Sequence, residues 1–147
     1  MSPSLIFQLV IGAIALISIL ASNYLRSKSH KGVNDWIRNA NLESQNNDNS
    51  AALTSLKLAL AQVLGIESKY KWTLYEIRDN MNTDGWFIIN QINTICKQEG
   101  IEFSMIVWKH IMTDLSTIDR KSRNEELRYR ILLAFNNLPE IVNTDNT

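Results

Sequence analysis

The chain has 147 residues with 15 basic and 15 acidic side chains, so its formal net charge at neutral pH is zero. This length leaves room for one small domain, and the even charge balance gives no electrostatic reason to expect a nucleic acid partner. The single cysteine, Cys96, excludes an intramolecular disulfide framework and a cysteine-based zinc site, while two prolines and five glycines argue against a turn-rich all-β fold.

A long uncharged stretch, Leu5 to Leu25, follows a short tail of residues 1–4. A helix of about 20 apolar residues spans the hydrocarbon core of a bilayer, so the stretch predicts a transmembrane anchor at 5–25. The residues before it contain no basic side chain, which argues against a signal peptide. Small residues at Ala21 and Ser22 leave cleavage open as an alternative.

The charges that flank this stretch predict its orientation. Arg26, Lys28 and Lys31 follow it directly, and the first acidic residue after it is Asp35. Because basic residues are retained on the cytoplasmic side, we expect a single-pass membrane protein with its N-terminus outside and its C-terminal domain in the cytoplasm. A eukaryotic signal anchor facing the cytosol would show the same pattern.

One narrow face of the predicted anchor carries small and weakly polar residues. Such residues let membrane helices approach closely and hydrogen-bond, so this face predicts self-association or a partner within the bilayer. The alternative is that a single pass simply tolerates small residues. At about 100° per residue, the face consists of Gln8, Gly12, Ala15, Ser18 and Ser22.

Residues 26–50 are predicted to form a basic juxtamembrane segment and a flexible polar linker. The segment contains one short helical candidate, Val33 to Ala40, whose Trp36 suits the membrane interface. Residues 41–50 are rich in asparagine and serine, which is typical of linkers.

From residue 51 to residue 142 the pattern is that of an all-α domain, followed by a disordered tail at 143–147. Apolar residues recur at three- and four-residue steps, and we expect a bundle of about five helices. The first helix is predicted to start at the N-cap Ser50 and to stop at Gly65, and the second to end in the turn-like sequence NMNTDG. The third is predicted to run from about Asp84 to Gly100. The inward residues of these three helices are predicted to be Leu53, Leu56, Leu60, Val63, Leu64, Tyr70, Leu74, Ile77, Met81, Ile88, Ile92, Ile95 and Cys96.

Two further helices complete the predicted domain. Ser104 is the expected cap of the fourth helix, although the run FSMIVW also suits a strand. Ser122 and Glu125 form a capping box that opens the fifth helix, and Pro139 closes it. The inward residues of these helices are predicted to be Val107, Trp108, Ile111, Leu115, Leu127, Ile131, Ala134, Phe135 and Leu138.

Stacked helical hairpins are an alternative to the plain bundle. Trp36, Trp72 and Trp108 are each thirty-six residues apart, and the dipeptide Gly-Ile occurs at Gly65 and again at Gly100. A period of this size is typical of helical repeat proteins, which present a concave binding surface.

The sequence contains no strong catalytic or ligand motif. His110 and Asp114 are four residues apart, which would place them on one helix face, but a catalytic metal usually needs three protein ligands and the other histidine, His30, lies in the juxtamembrane segment. A surface i,i+4 pair is the simpler interpretation. Cys96 is expected to be an inert core thiol. We therefore predict no cofactor and no metal, and the sequence identifies no small-molecule substrate.

The strongest candidate for a binding surface is a cluster of basic residues near the C-terminal end. It could meet anionic lipid headgroups or an acidic partner, and a solvated helix surface is the alternative. Trp86 and Phe87 are a second candidate, although aromatic residues are more often part of a core. The cluster consists of Arg120, Lys121, Arg123, Arg128 and Arg130.

These features together favour a membrane-anchored cytoplasmic interaction module, an adaptor or scaffold without enzymatic activity. Its expected partners are membrane lipid and either another protein or a second copy of the chain, with no nucleic acid expected. One alternative is an oligomerising membrane effector that permeabilises or remodels the bilayer through the anchor face. The other is a membrane-tethered enzyme centred on His110.

Overall fold

The structure, a computed structural model, describes residues 3–66 and 72–141, and within this part the side chains of Pro3, Gly12 and residues 14–31 lie outside the description. Every regular element of the described part is helical, which confirms the predicted all-α class. The six α-helices are α1 (Pro3–Gln45), α2 (Asn49–Leu64), α3 (Leu74–Asn80), α4 (Trp86–Gln98), α5 (Met105–Ser116) and α6 (Glu125–Asn136), and a π-helical turn (Met81–Gly85) joins α3 to α4.

The chain divides into two compact units, residues 1–32 and residues 33–147. In the first unit, the apolar side chains from Leu5 to Ile11 are exposed, as is Gln8 of the predicted anchor face. Across the described residues, no helix combines the length and the hydropathy that crossing a membrane requires. Seven residues of the predicted anchor face and basic flank have side chains outside the description: Gly12, Ala15, Ser18, Ser22, Arg26, Lys28 and Lys31.

The second unit begins earlier than the linker prediction implies. Val33 and Ala40, which are two helical turns apart in α1, are both buried in the same hydrophobic core as α2 and α4. The Ser55 hydroxyl on α2 donates a 2.6 Å hydrogen bond to the Glu43 carboxylate on α1. The predicted linker at residues 26–50 is therefore largely helical.

A tight turn replaces the predicted asparagine-rich linker. Asn47 adopts a left-handed conformation with φ of 61°, which asparagine tolerates better than most residues and which commonly ends a helix. The next residue, Asp48, accepts a 3.1 Å hydrogen bond from the backbone N–H of Ala51 and caps α2. The prediction that Ser50 is the cap was wrong, because Asp48 occupies that position and Ser50 lies within the helix.

The core is built mainly by α2 and α4. The five leucine and valine residues predicted to face inward from α2 are all buried, and so are Ile88, Ile92, Ile95 and Cys96 of α4. Burying such side chains contributes roughly 25 cal/mol per Å² of apolar surface. The apolar periodicity of these two helices was thus a reliable guide to their inner faces, whereas Tyr70 of the following stripe lies outside the described residues.

The predicted turn at NMNTDG is instead the π-helical turn, which continues α3 into α4. The backbone stays right-handed at Asn80, Met81, Gly85 and Trp86, with φ between −63° and −65°. A Cβ atom at Gly85 would overlap the Met81 sulfur and approach a Val63 methyl group to 3.2 Å. Glycine is therefore used here for close packing and not for chain reversal.

Two helices end in the same way, at Gly65 after α2 and at Gly100 after α4. Their φ angles are 71° and 67°, and the N–H of the following isoleucine, Ile66 or Ile101, returns to a carbonyl five residues earlier. This is the Schellman motif, in which a left-handed glycine is followed by an apolar contact. Both isoleucines pack partly buried against the core.

The run FSMIVW, which also suited a strand, is not a strand: its last four residues form the start of α5, and Ser104 is the N-cap residue. Trp108, Ile111 and Leu115 are buried as predicted, but Val107 is 43% exposed. In α6 the residues Leu127, Ile131 and Ala134 are buried and Phe135 is half-buried. Leu138, predicted to belong to the same helix, is buried but lies two residues beyond its end.

The predicted capping box of α6 was wrong. Asn124, not Ser122, caps this helix by accepting a 3.0 Å hydrogen bond from the N–H of Leu127. Ser122 lies outside the helix, and its hydroxyl donates a hydrogen bond to Asp119 in the preceding loop. The box fails because a residue two positions closer to the helix provides an equally good acceptor.

The equal spacing of three tryptophans does not mark equivalent positions. Trp36 lies in α1, Trp72 precedes α3 outside any helix, and Trp108 is buried in α5. The structure therefore gives no support to a repeat based on these residues. The described residues form a helical bundle.

Candidate functional site

The structure divides the predicted basic cluster into two parts. Arg120, Lys121 and Arg123 lie in the loop between α5 and α6, and Arg128 lies on the first turns of α6. These four residues line a groove of about 630 Å³ together with Trp72. We call it the basic groove. Arg130 lies at a different cavity, between α5 and α6.

Arg128 forms the inner part of the basic groove. Its Nη2 donates a 3.1 Å hydrogen bond to the carbonyl of Trp72, fifty-six residues away in sequence. Its Nε is buried without a hydrogen-bond partner and lies 3.9 Å from the exposed Glu125 carboxylate. The Arg128 side chain is 22% exposed, and its charge is paired at long distance with Glu125, whose side chain is 70% exposed.

The loop that carries the other three basic residues is held by Asp119. Its Oδ1 accepts hydrogen bonds from the Ser122 hydroxyl at 3.0 Å and from the Lys121 N–H at 2.9 Å. These bonds, with the Ser122 hydroxyl contributing most, hold the pKa of Asp119 below its usual value. The loop backbone is thus fixed while the side chains of Arg120, Lys121 and Arg123 remain exposed.

Tyr75 connects this loop to α3. The guanidinium groups of Arg78 and Arg120 lie over its ring, 4.1 and 5.4 Å from the ring centre. The nearby guanidinium of Arg120, and then that of Arg78, lowers the pKa of the Tyr75 hydroxyl. Arg78 also donates a 3.1 Å hydrogen bond to the carbonyl of Ile118, so α3 and the loop are joined by both main-chain and side-chain contacts.

Arg130 is engaged elsewhere. Its Nη1 donates a 2.6 Å hydrogen bond to the Asp114 carboxylate, and these side chains are 39% and 45% exposed. A pair this exposed contributes at most about 1 kcal/mol. Asp114, predicted as the companion of His110, is therefore bonded to an arginine of α6. His110 is exposed and lines a cavity of about 340 Å³ beside Ile111.

Cys96 was expected to be an inert thiol in the core, and its environment agrees with that expectation. Cys96 is buried, and this burial raises the pKa of its thiol, which disfavours the reactive thiolate. No three histidine, cysteine or acidic side chains among the described residues lie close enough to hold a metal ion.

The chain matches no protein-family model, no curated protein and no solved structure.

Sequence reasoning missed two parts of the surface. Trp72 was considered only as part of a spacing pattern, yet it forms a wall of the basic groove. Val107 was assigned to the core, but it is exposed near the exposed Leu133 at the cavity between α5 and α6. The second predicted surface is also split, because Trp86 packs against the core while Phe87 is exposed.

Proposed function

We propose that the protein is a membrane-anchored helical interaction module, with residues 5–25 as the anchor and the second unit as the interacting part. The observation that carries this proposal is the uncharged run from Leu5 to Leu25, which lies within the single helix α1. Its first apolar side chains, from Leu5 to Ile11, are exposed. A helix satisfies its own backbone hydrogen bonds, so lipid is a favourable solvent for such a surface.

The orientation we propose places the N-terminus outside and the second unit in the cytoplasm. Its support is the group Arg26, Lys28 and Lys31 directly after the uncharged run. The surfaces available to a partner on the second unit include the basic groove and the exposed apolar side chains of α5 and α6, among them Ile106, Val107 and Leu133. A protein tethered in this way acts by concentrating its partner at the membrane.

The anchor is tested by fractionation of the full-length protein. We expect it to remain in the membrane pellet after alkaline carbonate extraction. Replacing Ile14 and Ala15 with lysine should release it, because each lysine at the centre of a membrane helix costs about 3 kcal/mol. The matched control places lysine at Thr94 and Thr113, exposed positions on α4 and α5, and should stay in the pellet. Wild-type protein in the supernatant would overturn the anchor.

The orientation is tested with a C-terminal fluorescent reporter that matures only in the cytoplasm. We expect fluorescence from the wild-type fusion and a marked loss when Arg26, Lys28 and Lys31 are all replaced by glutamine. Equal fluorescence from both fusions would show that the basic flank does not determine the orientation.

The interaction role is tested by photo-crosslinking in native membranes. A photoreactive amino acid at Val107 should capture a partner or a second copy, whereas the same residue at Lys97, an exposed position on α4, should capture much less. Equal or absent crosslinking at both positions would contradict an interaction through α5 and α6.

A further inference from the structure

We infer that the basic groove is a binding site for a phosphate monoester, borne either by a soluble molecule or by a lipid headgroup. The inference rests on the geometry of the second unit, and it holds whether or not residues 5–25 cross a membrane. No residue of the first unit takes part in it.

The groove carries a net positive charge. Four basic side chains and one carboxylate, that of Glu125, line it, so the lining carries a net charge of about +3. Within the described part of the chain, the side chains of Lys121 and Arg123 form no hydrogen bond or ion pair. These cations therefore remain available to an anion.

Arg128 is held in place at the inner part of the groove. Its guanidinium is largely shielded from solvent, it is fixed in position by the Trp72 carbonyl, and its nearest carboxylate is 3.9 Å away. The ion pair of Arg128 with Glu125 is long, and that carboxylate is 70% exposed, so an anion whose oxygens approach more closely strengthens the compensation of the Arg128 charge. The planar guanidinium suits the bidentate geometry of phosphate oxygens.

The groove lies beside the start of α6, a twelve-residue helix whose N-cap is Asn124. The first turn of this helix carries Glu125 and Glu126, which already complement the partial positive charge of the helix end. The attraction for an anion therefore rests on the basic side chains and not on the helix end.

The cations that line the groove indicate the chemistry of the ligand. A phosphate monoester carries close to two negative charges at neutral pH and three terminal oxygens, which fits several converging cations better than a single carboxylate does. The groove volume of about 630 Å³ lies in the range of small-molecule sites, and Trp72 offers an apolar wall for the organic part of the ester. We therefore assign an organic phosphate and not a bare inorganic anion.

The test uses calorimetric titration of the full-length protein in mild detergent with inositol trisphosphate. Replacing Lys121 and Arg123 with glutamine should lower the affinity roughly thirtyfold, about fivefold for each positive charge removed. The control variant replaces Lys97 and Lys109, exposed lysines that do not line the groove, and should change the affinity by no more than about twofold. Both variants change only exposed side chains, and circular dichroism checks that each variant protein is folded.

A second readout places the ligand at the groove. Binding should change the tryptophan fluorescence of the wild-type protein, and this change should be lost when Trp72 is replaced by phenylalanine, whereas the calorimetric affinity is largely retained. The assignment is overturned if the groove variant and the control variant weaken binding equally, or if inositol trisphosphate does not bind. It is also overturned if polyglutamate binds as tightly as the phosphate ester, since charge would then suffice.

The two sources of the phosphate are separated in nanodiscs. Full-length protein is placed in phosphatidylcholine, with or without phosphatidylinositol bisphosphate, and titrated again with inositol trisphosphate. A weaker apparent affinity in the presence of the phosphorylated lipid identifies a headgroup as the occupant, provided that phosphatidylserine at equal surface charge has no such effect. An unchanged affinity identifies a soluble ester.

Discussion

Replacing Gly65 with alanine should destabilise the second unit more than the same change at Gly100. Both glycines end a helix in the left-handed conformation, with φ of 71° and 67°. A Cβ atom at Gly65 would overlap the indole ring of Trp72, whereas a Cβ atom at Gly100 meets nothing within 4 Å. The two substitutions thus share a backbone cost and differ in one steric contact.

The magnitude follows from these two contributions. A left-handed conformation costs a non-glycine residue about 1–2 kcal/mol, so this is the expected loss for Gly100→Ala. Overpacking adds about 1–3 kcal/mol when a neighbour must shift, which places Gly65→Ala at roughly 2–5 kcal/mol. In a Trp72→Ala background the steric part disappears, and the effect of Gly65→Ala should fall to that of Gly100→Ala.

The assay is urea unfolding of the full-length protein in mild detergent, followed by circular dichroism. A double-mutant cycle between Gly65 and Trp72 isolates their coupling, which we expect to exceed about 1 kcal/mol. Equal losses for the two single alanine variants, or a coupling near zero, would refute the packing of Trp72 on the end of α2. That result would also remove the rigid wall on which the basic groove depends.

Three further predictions concern other parts of the second unit. Gly85→Ala should lower the free energy of unfolding by up to about 2 kcal/mol, measured by urea denaturation, because the clash with Met81 outweighs the roughly 1 kcal/mol gain in helix propensity. Cys96 should react with a thiol reagent far more slowly in the native protein than in urea. Because the pKa of its thiol is raised in the folded protein, the free energy of unfolding should fall as pH rises from the usual thiol pKa towards the raised one. Ser122→Ala should raise the pKa of Asp119, which NMR titration measures. The pKa of Asp119 is depressed in the folded protein. Its contribution to the free energy of unfolding is therefore present above the usual carboxyl pKa and is lost as pH falls through the depressed value.

Apolar periodicity in the sequence was sufficient to identify the helices and most of their inner faces. The stripes of α2, α4 and α6 depend only on local spacing, and burial followed that spacing. Predictions that depended on polar residues were less successful. The asparagine-rich run at 41–50 suits a linker, a helix end and a helix cap equally well, and Asn47 and Asp48 act as the last two.

The two Gly-Ile dipeptides show how a local motif can imitate a repeat. Gly65-Ile66 and Gly100-Ile101 are alike because each closes a helix with the same Schellman hydrogen bonds, and this requirement applies to any helix end of the kind. Their recurrence therefore needs no common origin of the segments around them.

The basic groove could not be predicted from the sequence because its walls come from separate segments. The charged loop was visible as a cluster, but whether Arg128 belongs with Arg120 or with Arg130 depends on the helical phase and on what each side chain contacts. Two residues along α6 amount to about 200° of rotation, so Arg128 meets the Trp72 carbonyl while Arg130 meets Asp114. The five basic residues formed one cluster in the sequence because they are close along the chain. In the structure, the rotation between Arg128 and Arg130 along α6 places Arg130 in a surface ion pair and leaves the other four in the basic groove.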